Sequence, residues 1–320
     1  TKAKAMAIEQ KQLPNDTKIL IVGLGLIGGS YAMALHRKGY HVEAIDRSDD
    51  TIDFALAHDY IDSGYTEPDP EAIGRADLII LSLYPHILLD WVRENQKAFR
   101  PGVIVTDVTG VKCGVVEPVQ EMLRPDAEFI AAHPMAGRER YGVQNSDARI
   151  FFGANYIVVP TEKNTAHAIS VCRELAETLG FARITELSTE DHDRMIGFVS
   201  QLTHCIAISL MTCSDNTHLS DCTGDSFRDL TRIARINEDM WSELFLANRD
   251  ALLREMDVFI GEISELRELI RRGDREKLMD KMRLSTARRA VFDSADAENK
   301  EISASALSHT QAVDGIPGKD

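Results

Sequence analysis

Lys18-Ile19-Leu20-Ile21-Val22-Gly23-Leu24-Gly25-Leu26-Ile27-Gly28-Gly29-Ser30 decides the fold of this chain. An apolar run, a glycine-rich turn and the start of a helix follow one another without a gap. This is the order in which a chain builds a cradle for a dinucleotide pyrophosphate. Gly23 permits the tight turn, Gly25 lets the backbone approach the phosphates, and Gly28 lets helix and strand pack closely. Leu26 and Ile27 open the helix, whose first N–H groups and positive dipole end face the anion.

The next strand reads as His41-Val42-Glu43-Ala44-Ile45-Asp46 and ends in an acid 18 residues after Gly28. A carboxylate there accepts hydrogen bonds from ribose hydroxyls and repels a 2′-phosphate, which favours NAD over NADP. Arg47 follows at once and softens that preference. Ser82 closes a further strand over 76–82 and joins Leu26, Ile27, Asp46 and Arg47 as an expected cofactor contact.

Alternation continues outward from this core. Helices are expected over 51–58, 87–99 and 165–179, and strands over 103–107, 128–132, 155–160 and 182–185. Strands and helices joined by short loops imply an α/β Rossmann-type doubly wound, mostly parallel sheet. The character changes at Ser188-Thr189-Glu190-Asp191-His192, a helix-start pattern. Beyond it the periodicity is almost purely helical, with Met195, Phe198, Val199, Leu202, Ile206 and Leu210 on one face. Gly273-Asp274 breaks the last long helix. The expected organisation is an N-terminal extension at 1–16, a dinucleotide-binding domain at 17–187, an all-helical domain at 188–293 and a disordered tail at 294–320. The helices carry more apolar surface than one small bundle needs, which points to a homodimer through the helical domain.

Composition narrows the function classes. The 320 residues are 44% hydrophobic and 27% charged, as in a soluble globular protein. No apolar run approaches the roughly 20 residues of a membrane span. The first 16 residues resemble no signal peptide, so a cytoplasmic enzyme is expected. A formal charge of −15 argues against nucleic acid or an anionic membrane as partner. The five cysteines match no zinc spacing and read as free thiols, and no metal site is expected.

Several residues could carry chemistry. His133-Pro134-Met135-Ala136-Gly137 directly follows the strand at 128–132. A histidine past the carboxyl end of such a strand faces the ligand crevice and can act as a base near neutral pH. Asp107-Val108-Thr109-Gly110-Val111-Lys112 leaves another strand at the same edge, and Thr109 and Lys112 are candidate ligand contacts. Arg232 lies between apolar neighbours in Phe227–Ala234, with its head group expected to be partly buried. Its natural partner is a carboxylate, either a substrate's or an internal acid such as Asp229 or Glu238. His204 falls on the apolar face of the helix from 188, where it is either a core residue or a ligand contact.

Taken together, the chain from about Lys18 to Phe292 resembles the prephenate dehydrogenase family, which includes arogenate dehydrogenases. The likeness rests on Gly23 to Ser30, on His133-Pro134-Met135-Ala136-Gly137, on Ser200-Gln201-Leu202-Thr203-His204, and on Phe227 to Ala234 followed by Met240-Trp241. It implies a Rossmann domain joined to a helical dimerisation domain. It further implies oxidation of a cyclohexadienol by NAD, or less readily NADP, with loss of CO2 as the ring becomes aromatic. By the same resemblance His133 is the active-site histidine, Arg232 the substrate-binding arginine and His204 the helical-domain histidine. Trp241 and the acid at Glu139 also match site positions. Two departures stand out. Gly110 holds the serine position of Asp-x-x-Ser-x-Lys, with Thr109 offering a hydroxyl one residue earlier, and Gln201 replaces the first histidine of Ser-His-Leu-x-His.

The implied reaction converts prephenate to 4-hydroxyphenylpyruvate in tyrosine biosynthesis. Arogenate is the alternative substrate, since Glu139 suits an ammonium while Arg138 and Arg140 suit carboxylates. Two other readings compete. A β-hydroxyacid or 6-phosphogluconate type dehydrogenase would place a catalytic lysine on the first helix of the second domain, but 188–210 contains none. A non-catalytic NAD-sensing protein would leave the pairing of His133 with Arg232 without a purpose.

Overall fold

The strand Lys18–Val22 (β1) is buried from Ile19 onward because neighbours cover both its faces. A computed structural model describes residues 12–137, 140–215 and 217–314, with 298–314 by backbone alone. The chain forms two units. The first takes in Thr1–Thr109, Val115–Ser188 and Glu301–Asp320, and the second Gly110–Gly114 and Thr189–Lys300.

In the first unit β1 leads into α1 (Leu26–Arg37), β2 (His41–Ile45), α2 (Asp49–Ala57), β3 (Ser63–Tyr65), α3 (Pro70–Arg75) and β4 (Leu78–Leu81). The second half runs α4 (Pro85–Asn95), β5 (Ile104–Asp107), α5 (Val116–Met122), β6 (Glu128–Met135), β7 (Asn155–Val159), α6 (Ala166–Leu179) and β8 (Arg183–Glu186). Sheet order is β3-β2-β1-β4-β5-β6-β7-β8, parallel throughout except for the β6–β7 pair. The doubly wound α/β expectation therefore holds. Ile19 and Ile21 on one face join residues of α1, α2 and α6 in a single core cluster. The order reverses between β1 and β4, and a reversal of this kind opens a ligand crevice beyond the carboxyl ends of the strands.

β3, α3 and α5 were not anticipated from sequence. They are three, six and seven residues long, too short to show a period. α3 is set by its ends instead, with Asp69 accepting from the N–H groups of Glu71 and Ala72 and Pro70 in the first turn. β6 also runs three residues past the expected 128–132, because the antiparallel partner β7 carries it beyond the end of β5.

The second unit contains α7 (Thr189–Ile196), a π-helical segment at Gly197–Leu202, and α8 (Thr203–Thr212). Then come α9 (Leu219–Cys222), α10 (Asp225–Thr231), a 3-10 turn at Arg232–Ala234, α11 (Glu238–Ala247), α12 (Arg249–Arg272) and α13 (Arg275–Asp314), the last as far as Lys300. Gly273, at φ +67, ends α12 where a left-handed residue is needed, as the Gly273-Asp274 break implies. The apolar face read from Met195 to Leu210 is not one buried stripe. Leu202 is buried, while Met195, Phe198 and Val199 are 45%, 55% and 46% exposed. The wider π turn between α7 and α8 rotates the later residues away from the earlier ones.

Helical structure also continues past Ser294 to Asp314, where composition suggested disorder. Alanine, glutamate and lysine in this stretch are good helix formers, and continuation from α13 avoids a new nucleation step. The continuous helix Thr189–Thr212 is apolar enough over an 18-residue window to pass a length-and-composition test for a membrane span. It buries the polar side chains of His192, Asp193 and Gln201 inside its own unit, while 28% of that window is buried in all.

Candidate active site

The glycine turn has the geometry its sequence demands. Gly23 adopts φ +92, and a Cβ there would lie 2.4 Å from the Ser82 carbonyl oxygen at the end of β4. A Cβ on Gly28 would lie 1.9 Å from the Gly23 carbonyl oxygen, so α1 can start against β1 only without a side chain at that position. Gly25 differs, for a Cβ there would meet nothing within 4 Å. No side chain caps α1. Open space in front of an uncapped helix N-terminus fits a phosphate group, so the turn is a candidate cradle for a dinucleotide. Leu26 is buried in the first turn and Ile27 half-buried, while Ser82 adjoins the turn at β4.

Asp46 follows β2 at the same edge. Its carboxylate accepts the Leu24 N–H at 2.8 Å and the Ser48 N–H at 3.0 Å, which fixes the glycine turn and the chain beyond β2 together. Each oxygen has a second lone pair, which suits a ribose hydroxyl. Arg47 is exposed beside it.

A second carboxylate organises the ends of β5 and β6. Asp107 is fully buried. It accepts the N–H and the hydroxyl of Thr109 on one oxygen and the Ala132 N–H, at 3.1 Å, on the other. Backbone pairing of β5 with β6 ends at Thr106–Ile130, so this side chain continues the ladder where the β5 backbone turns away. Two residues further on, on the same side of β6, stands Pro134, which has no N–H to satisfy. His133 lies between Ala132 and Pro134, within β6 and opposite Ile157. The sequence placed it in a loop after the strand; it is instead held on a strand, half-buried, on the face opposite the cluster containing Ile130 and Ala132. Thr109 is buried with its hydroxyl hydrogen given to Asp107, so toward a ligand that oxygen can only accept.

In the second unit His204 donates from Nδ1 to the Ser200 carbonyl at 2.9 Å, which makes Nε2 the acceptor nitrogen. Its ring lies 3.7 Å from that of Trp241, and Trp241 in turn is 5.5 Å from Phe245. Arg232 opens the 3-10 turn after α10 and is exposed rather than partly buried. The reason is that α10, this turn and α11 bury no residue within the chain, so its apolar neighbours provide no cover. Glu139 and Arg138 lie outside the described residues.

Gln201 sits in the π turn. Its amide nitrogen donates to the Leu244 carbonyl at 3.1 Å, and its oxygen accepts from Asn248 at 2.7 Å. The departure from a histidine at this position is thus taken up by a buried bond between helices. Asp193, not singled out from sequence, accepts from His192 at 2.7 Å and from the N–H groups of Lys112 and Cys113 at 2.8 and 2.7 Å. Burial alone would raise its pKa, but His192 and the two N–H groups outweigh that and hold the carboxyl below its ordinary value. Partial burial, with Asp193 next to it, pushes the Cys113 thiol up to about 12, so that sulfur is a neutral thiol. Within the first unit, then, the structure assembles Gly23, Gly25, Gly28, Asp46 and Ser82 at one edge and ties Thr109, through Asp107, to Ala132 next to His133. Within the second it stacks His204 on Trp241. The sequence held a signal for Asp107, a charged residue ending an apolar strand, but Asp193 was indistinguishable from the acids that commonly open a helix.

Comparison with known proteins adds the following. Residues 31–185 match the family profile described as prephenate dehydrogenase, nucleotide-binding domain, and 188–284 match the prephenate dehydrogenase, dimerization domain. The chain is 31% identical over 270 residues to a prephenate dehydrogenase of Bacillus subtilis, covering 81% of this chain and 72% of that protein. It is 31% identical over 284 residues to a cyclohexadienyl dehydrogenase of Zymomonas mobilis, covering 86% and 95%. Among solved structures it resembles the A. aeolicus prephenate dehydrogenase in complex with hydroxyphenyl propionate and NAD+. The TM-score there is 0.79 at 27% identity, covering 88% of this chain and 100% of that one.

The glycine geometry separates packing from binding. Gly28→Ala should lower the melting temperature, at a cost of about 1–3 kcal/mol for overpacking. Gly25→Ala should melt like the wild type and bind dinucleotide more weakly, because its methyl group enters the open cradle. Thermal melts with and without NAD check both, and equal melting of the two variants would contradict the geometry.

Proposed function

The chain belongs to the prephenate dehydrogenase family, and from that premise we propose that it oxidatively decarboxylates prephenate to 4-hydroxyphenylpyruvate with NAD. The observation that carries the reading is the open cradle at Gly25, placed at the strand-order reversal with Asp46 beside it. Gly23, Gly25, Leu26, Ile27, Gly28, Asp46, Arg47 and Ser82 would hold the cofactor. Bound NAD supplies the hydride acceptor.

His133, in its neutral form, accepts the proton of the substrate's ring hydroxyl, and its strand position fixes the imidazole for that task. Arg232 grips a substrate carboxylate. His204, stacked on Trp241, presents Nε2 as an acceptor to a substrate hydroxyl, and Thr109 offers a second acceptor. Glu139 is assigned to substrate binding through the resemblance. Loss of CO2 needs no further protein group, since the ring ketone takes up the electrons and aromatisation drives the step.

We assign the helical unit as a homodimer interface. α9, α10 and α11 bury no residue in the single chain, and Leu230, Leu246 and Val258 are 59%, 72% and 65% exposed. The setting we propose is cytoplasmic, without nucleic-acid or membrane partners, in keeping with the net charge of −15.

Assayed with prephenate and arogenate, each with NAD and NADP, the protein should form reduced cofactor fastest from prephenate and NAD. His133→Ala should lower kcat by about 10²–10⁴, and the wild-type kcat/KM should fall on the acid side as the histidine becomes charged. A variant keeping most of its kcat would remove His133 as the base. Arg232→Ala should raise the KM for prephenate at nearly constant kcat, a loss on the order of 1.5–3 kcal/mol for a bond to a charged group. Light scattering should give twice the 35.6 kDa of one chain, and Leu246→Glu should shift it toward the monomer; a wild-type monomer would overturn the interface.

A further inference from the structure

Asp193 is 2% exposed, and everything that touches its carboxylate is a donor. Its two oxygens take two successive backbone N–H groups, those of Lys112 and Cys113. His192, at 0% exposure, donates to one oxygen from Nδ1. Asn248, at the junction of α11 and α12, donates to the Asp193 carbonyl at 2.8 Å and to Gln201 at 2.7 Å. The result is a closed network of buried polar groups on three helices.

A network of this kind is an expensive way to hold helices together. Burying a carboxylate costs several kcal/mol before its bonds are counted, and apolar residues of similar volume usually pack helices as well or better. Apolar residues cannot grip two adjacent N–H groups of a segment with no ladder of its own. Gly110–Gly114 is such a segment: it lies between β5 and α5, forms no strand or helix, and leaves Asp193 by way of Gly114 at φ +82. It begins one residue after Thr109 and carries Lys112, whose side chain is fully buried.

We propose that Asp193, its carboxylate held by His192, is a positioning residue for substrate binding: it fixes the path of Gly110–Gly114 and so the placement of Lys112. The inference rests on the substrate reading given above. Asp193 touches no reacting atom in this scheme and acts only through the backbone of Lys112 and Cys113. Its removal therefore weakens substrate binding more than it slows chemistry, and leaves the glycine cradle untouched.

The test compares Asp193→Asn with Asn248→Ala. Asp193→Asn keeps the size but turns an amide NH2 toward donors, so at least one N–H loses its partner. The KM for prephenate should rise about 10- to 100-fold, the scale of a site misplaced by about an ångström, with kcat within a few-fold and the KM for NAD unchanged. Hydrogen–deuterium exchange of the peptide covering 110–114 should accelerate in the same variant. Asn248→Ala removes the helix-to-helix bonds but not the grip on the segment, and should lower the melting temperature without that KM change. Should Asp193→Asn fail to fold, Asp193→Glu, which keeps the charge and shifts it by a methylene, should give the same split. Parallel loss of stability in both variants with an unchanged KM, or unchanged exchange at 110–114, would overturn the proposal. A wild type that forms no NADH from prephenate would overturn the functional reading alone, because the exchange measurement still reports on the segment.

Discussion

The contact between Gly28 and the Gly23 carbonyl is the constraint on which the first unit depends. With no side chain at Gly28, α1 begins directly against the end of β1, and a methyl group there would lie 1.9 Å from the carbonyl oxygen. That closeness gives the cradle its function. It sets the N-terminus of α1 at the crevice where the strand order reverses, so its unpaired N–H groups and dipole meet the anion where the sheet already leaves room. Asp46 then ties the turn to the end of β2 through the Leu24 N–H. One residue thus braces the turn and sits where a ribose would be read.

The strand end proposed to carry the base depends on a ladder that stops early. Once β5 has paired as far as Thr106, the Asp107 side chain replaces the missing backbone and captures both Thr109 and Ala132. His133 follows on a strand that β7 supports from its other side. Held on a strand rather than a loop, His133 has fewer backbone conformations to lose, which suits the role of base proposed for it.

Much of this was legible in the residues. The run from Lys18 to Ser30 specified strand, turn and helix, and the acid at Asp46 fell in register. The short elements were not legible: β3 owes its existence to pairing with β2 and α3 to the Asp69 cap, and α5, at seven residues, is too short to show a period. The sequence singles out His133 but not its place inside β6, because an antiparallel partner at β7 extends a strand without marking its sequence. The sequence singles out Arg232 too, but with partial burial where the structure leaves it exposed. Apolar neighbours in sequence cover a side chain only when the segment itself is packed, and α10 and α11 bury nothing within the chain. Asp193 could not be read at all, since its partners Lys112 and Cys113 are 81 and 80 residues away.

A protein of net charge −15 that binds a carboxylate-bearing substrate must keep its own carboxylates from opposing the ligand. The buried acids suggest how. Asp107 is occupied by two N–H groups and a hydroxyl, Asp193 by two N–H groups and an imidazole, and Glu43 by the Arg75 guanidinium at 3.1 and 3.2 Å. Glu43 faces an opposite charge and so acts at longer range nearly as a local dipole, while the hydrogen bonds to Asp107 and Asp193 occupy their lone pairs and hold those carboxylates away from a ligand without cancelling their charge. The bulk of the negative charge belongs to exposed side chains, and salt screens those over about 8 Å at physiological ionic strength. An arginine placed against a ligand can therefore dominate its immediate surroundings even in a strongly acidic chain. What the acidic composition excludes is long-range attraction of polyanions, not the short-range grip of a small one.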